Sequence, residues 1–63
     1  MRTRPQIRLA QARLKLAHLE RRLIRWSTLA RKSALSQQDL EDLDYEVEHQ
    51  RLEVELAQLD VEE

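Results

Sequence analysis

Apolar side chains recur along this chain at alternating spacings of three and four: Leu9, Ala12, Leu16, Leu19, Leu23, Trp26 and Ala30 form one series. A second follows as Leu40, Leu43, Val47, Gln50, Val54, Ala57 and Val61, with the amide of Gln50 as its polar member. That spacing is the seam of a helix pressed against another helix, with apolar residues at the a and d positions of a heptad. The first series takes a at positions 9, 16, 23 and 30. Carried past residue 33, the same frame would put Gln37, Asp44, Arg51 and Gln58 at a, whereas the second series takes a at 40, 47, 54 and 61. The phase breaks, so two helices are predicted rather than one continuous rod.

Capping chemistry falls where the phase requires it. Thr3-Arg4-Pro5-Gln6 fits a capping box with proline in the first turn, where its missing N–H is no loss. Ser36-Gln37-Gln38-Asp39 offers Ser36 as a second N-cap with an acid three residues on, flanked by Leu35 and Leu40 as a hydrophobic staple. Arg31 and Lys32 suit the negative end of a helix dipole. The expectation is an all-α, antiparallel two-helix hairpin of coiled-coil type, with helix one over 4–32, a turn over 33–36 and helix two over 37–61. In that hairpin Trp26 layers on Leu40, Leu23 on Leu43, Leu19 on Val47, Leu16 on Gln50, Ala12 on Val54 and Leu9 on Ala57.

Charge supports the orientation. Residues 1–33 hold ten basic side chains and the single acid Glu20, while residues 34–63 hold eleven acids and the single base Arg51. Each half repels itself, and each sets its charge against its own helix dipole at the outer end. Laying the halves antiparallel makes these terms complementary. One flank is predicted to pair Arg22 with Glu46, Lys15 with Glu53 and Arg8 with Asp60. The other flank sets like against like, Arg13 facing Arg51 and Glu20 facing Asp44.

Composition narrows the chemistry. Among 63 residues there is no Cys, no Gly and one Pro, which leaves no disulfide framework, no thiolate zinc site and no glycine-rich phosphate loop. Paired carboxylates are common on helix two, but a general acid needs a pocket to raise its pKa, and two helices make none. His18 and His49 are solitary imidazoles on helix flanks. No enzyme activity, metal or cofactor is expected. No apolar run exceeds two residues, so neither a membrane span nor a secretory core is expected, and the location expected is cytoplasmic.

Both helices carry a further apolar stripe roughly opposite the first seam: Ile7, Ala10, Leu14, Ala17 and Ile24 on helix one, and Tyr45, His49, Leu52, Leu56 and Leu59 on helix two. A hairpin buries one seam per helix, and a two-helix core offsets little more than its own ordering entropy. The stripe therefore implies a partner: a second copy, dimerising into a four-helix assembly, and another protein bound through Leu14, Ile24, Tyr45, Leu52, Leu56 and Leu59. The function expected is that of a non-enzymatic regulator, inhibitor or adaptor of the kind phages and plasmids encode. The alternative is nucleic-acid binding through an arginine-rich face of Arg21, Arg25 and Lys32. In length and hairpin architecture the chain is similar to the small plasmid RNA-binding hairpin dimers of the Rop type, with which it shares no residue motif.

Overall fold

A computed structural model describes residues 1–32 and 36–62, and in it the chain forms two α-helices packed side by side. Helix α1 spans Arg4–Arg31 and helix α2 spans Gln37–Glu62. At the start of α1 the Thr3 hydroxyl accepts from the Gln6 amide at 3.4 Å, while the Gln6 side chain accepts from the Thr3 amide at 3.0 Å. This reciprocal box satisfies two of the donors that a helix start leaves without a partner, and Pro5 sits beside it in the first turn. Lys32 is the C-cap, its amide donating back to the Ala30 and Leu29 carbonyls. The Ser36 hydroxyl caps α2 by accepting from the Asp39 amide at 3.1 Å, with Asp39 adding a favourable charge to the first turn. Leu35 of the staple and most of the 33–36 turn lie outside the described residues.

The core lies along the a and d seams. Leu19, Leu43 and Val47 form its centre, with Leu16, Leu23 and Trp26 packed against them. Val47 is fully buried. Leu9 is buried nearer the free ends, and Ala12, Leu40, Val54, Ala57 and Val61 are half-buried along the same line. The pair measures 47 × 18 × 11 Å, a flat rod one helix thick.

One polar group is buried in that seam. Gln50, 6% exposed, donates its side-chain N–H to the Ala12 carbonyl at 3.0 Å. A helical carbonyl has two lone pairs and spends one on its own ladder, so the bond adds a partner without breaking a turn. A buried amide at a d position works against every register in which it lacks an acceptor. Gln50→Leu is accordingly expected to raise the stability of the folded state by about 1 kcal/mol, because no orphaned group remains. The same change should loosen the register, seen as broadened or doubled amide resonances in NMR spectra. Sharp single resonances at higher stability would deny Gln50 its aligning role.

The flanking charges differ from the sequence reading. Arg51 does not face Arg13, nor Glu20 Asp44. Arg51 reaches Glu20 across the helices at 3.4 Å and Glu48 along its own helix at 2.5 Å, and Arg13 donates to the Gln58 amide oxygen at 2.6 Å. The reason is geometric: every Cα–Cβ bond leans toward its own helix's N-terminus, so on antiparallel helices the two leans add, and long side chains meet about two turns away from the residue at their own height. The like-charge conflict on that flank disappears. On the opposite flank no ion pair within 4.0 Å joins Arg22 to Glu46, Lys15 to Glu53 or Arg8 to Asp60. Arg22 instead lies over the Trp26 ring, 4.8 Å from its centroid, and Glu53 lies 3.8 Å from the His49 imidazole. Exposed pairs are worth too little to hold two long side chains in one geometry.

Candidate functional site

The outer surface of the hairpin carries the side chains that the core does not use. In a helix of 3.6 residues per turn, the stripe on each helix is centred roughly 150° around from its a/d seam, so the two stripes occupy opposite edges of the flat rod. Leu14, Ile24, Tyr45, Leu52, Leu56 and Leu59 are between 58% and 72% exposed, and Ile7 is also exposed. Ala10 and Ala17, which are small, are half-buried between them. Scattered exposed leucines need no explanation, but these fall in a row along one helix face.

Side chains along α2 also meet one another on this stripe. Tyr45 and His49, one turn apart, stack with ring centroids 6.4 Å apart and planes 24° from parallel, and Glu53 continues the line through His49. Against this row a groove between the helices is lined by Lys15, Leu19, Tyr45, Glu46, His49 and Gln50. On α1, one concavity is lined by His18, Arg21, Ile24 and Arg25 and another by Gln11, Leu14, Lys15, His18 and Arg21. Among the described residues no three His, Asp or Glu side chains converge as a metal site, and no helix is long and apolar enough to cross a membrane.

The electrostatics invert the expectation from charge segregation. Among the described residues, the one ion pair between the helices joins their minority charges, Glu20 of the basic helix and Arg51 of the acidic one. No basic side chain of α1 comes within 4.0 Å of a carboxylate of α2. Apart from the Glu20–Arg51 pair, the opposite charges of the two helices act on one another at a distance, as fields rather than as contact pairs. Arg21, Arg25 and Lys32 are exposed; Arg21 and Arg25 share one concavity with His18 and Ile24, and Lys32 stands apart at the C-cap.

No protein-family model, curated protein or solved structure matches this chain.

Proposed function

We propose that the protein is a non-enzymatic helical-hairpin regulator, inhibitor or adaptor that self-associates and binds another protein through its outer apolar stripes. The observation that carries this reading is the row formed by Tyr45, Leu52, Leu56 and Leu59 on α2, continued on the other edge by Leu14 and Ile24, all exposed. Burying apolar area at roughly 25 cal/mol per Å² is the one large source of binding energy this surface possesses. It also supplies what the small internal core lacks. Two copies meeting through these stripes make a four-helix assembly, and partner helices lie along the same surface by the helix-in-groove mode. Nothing in the reading calls for a membrane or a cofactor, and a cytoplasmic location suits it.

A second reading is favoured by one observation, that among the described residues no carboxylate is in contact with the α1 basic side chains. Arg21, Arg25 and Lys32 would then bind phosphates of RNA or DNA, as in a Rop-like regulator. Against it, helix α2, packed alongside α1, carries ten acids between Asp39 and Glu62, whose summed field opposes a bound phosphate backbone.

Affinity capture from a cell lysate, with and without nuclease, separates the two. Capture through the apolar stripe persists after nuclease treatment and at raised salt, and is lost when Leu14 and Leu59 are made Glu. Nucleic-acid binding would instead fall steeply with salt and fail when Arg21, Arg25 and Lys32 become Ala. Direct binding of RNA or DNA is expected to be no tighter than about 10 μM at physiological salt, the weak non-specific end of the range. A gel shift tighter than that, abolished by the three alanines, replaces the protein-binding reading with the second.

A further inference from the structure

The two outer stripes differ in what borders them, and the difference selects the partner. On α2 the stripe of Tyr45, His49, Leu52, Leu56 and Leu59 is edged on one side by Glu46, Glu53 and Asp60 and on the other by Glu48, Glu55 and Glu62, all exposed. Two such faces cannot meet without setting acids against acids along both borders. On α1 the stripe of Ile7, Ala10, Leu14, Ala17 and Ile24 is edged on its free side by Arg4, His18, Arg25 and Lys32, also exposed. Its other border holds Arg13 and Glu20, already engaged with Gln58 and Arg51 of the same hairpin. Two α1 faces repel for the opposite reason.

We infer that helix α2 of one copy docks on helix α1 of the next, antiparallel, so that copies join head to tail. This rests on the self-association part of the proposed function and specifies which faces meet. The register supports it. In the alignment that sets Leu19 beside Val47 inside the hairpin, the outer stripes match Ile7 with Leu59, Ala10 with Leu56, Leu14 with Leu52 and Ala17 with His49. Alanines thus face large side chains, Leu52 falls on the concavity beside Leu14, and further along Arg21 falls beside Tyr45 and Ile24 beside Asp42. The basic border of α1 falls along the Glu46, Glu53 and Asp60 border of α2.

The placement of the stripes also sets the symmetry. A closed bundle of two hairpins needs the two seams of each helix about a right angle apart, as in a square of four helices. Here they are roughly 150° apart, so a second copy seated on α2 cannot also reach α1 of the first. The contact is heterologous, and heterologous contacts extend into rows or close into rings. Two copies form a layer of four helices with one stripe still open at each end.

The chain has no cysteine, so the contact can be mapped with single cysteines. Chains bearing Leu14→Cys and chains bearing Leu52→Cys are mixed, treated with a short bismaleimide cross-linker and analysed by mass spectrometry, alongside sedimentation of the same samples. The expected product is overwhelmingly the mixed 14-to-52 adduct, in samples that sediment beyond the dimer as concentration rises. Predominant 52-to-52 or 14-to-14 adducts overturn the head-to-tail contact while leaving self-association standing, as does a sedimenting assembly with no adduct. A folded monomer at all concentrations overturns both. As a second measurement, a Leu14→Glu, Ile24→Glu chain and a Leu52→Glu, Leu56→Glu chain, each blocked on one face, should be monomeric alone and form a 1:1 dimer when mixed. Failure of the mixture to associate, with helicity retained, counts against the inference.

Discussion

Replacing Leu52 and Leu56 together with Glu is expected to convert the assembled protein into monomers or unfolded chain at micromolar concentration, read by sedimentation equilibrium with circular dichroism on the same samples. Both side chains are about three-fifths exposed in the isolated hairpin, so the substitutions remove nothing from its core, and their effect must come through a partner. Burying an unpaired carboxylate costs several kcal/mol, and two of them set that cost against the apolar burial the stripe would otherwise gain. Assembly and folding are linked by mass action: if the hairpin depends on neighbours for its stability, the wild-type melting temperature rises with protein concentration and that of the double variant does not. A wild-type protein that is a monodisperse, folded monomer at micromolar concentration would remove the basis for self-association.

The local signals in the sequence were the ones most directly legible. Thr3 with Gln6 and Ser36 with Asp39 act through side chains three residues apart, and neither cap needs the rest of the fold to be recognised. The change of heptad phase after residue 33 is likewise local, and the two packed helices answer to it. Side-chain pairing across the helices was less legible. Facing positions follow from register alone, but Arg51 and Arg13 meet partners about two turns from where register places them, because the lean of each side chain enters as well. The charges of the halves were plain and their contacts were not: a segregated charge pattern predicts attraction between helices without predicting that any two groups touch, and Arg22 takes the Trp26 face instead of Glu46. For the outer stripes, periodicity identifies the residues, and their exposure follows from the core being on the other side. Which partner would suit them depends on the bordering charges, which become informative only once the hairpin shows which border is free and which is engaged.

Leu43→Ala is expected to abolish cooperative unfolding of the hairpin outright. Leu43 is 3% exposed and belongs to the central cluster with Leu19 and Val47, the part of the core against which Leu16, Leu23 and Trp26 pack. Truncating a buried leucine costs about 2–5 kcal/mol in transfer and cavity terms. Small domains have marginal stabilities of about 5–15 kcal/mol even with a full core, and this one has few fully buried apolar side chains, placed in a seam one helix deep where neighbours cannot close in from a second layer. The loss therefore consumes most or all of the stability of an isolated hairpin. Gln38→Ala, on an exposed turn of α2, should stay within about 0.5 kcal/mol of wild type and serves as the control. Trp26 packs on the cluster, so its fluorescence and far-UV circular dichroism should report the same transition in the wild type and neither should show a sigmoidal transition in Leu43→Ala. If the variant retained a cooperative transition displaced by less than about 1 kcal/mol, the stabilising core would lie elsewhere, either nearer the Leu9 end of the hairpin or between copies.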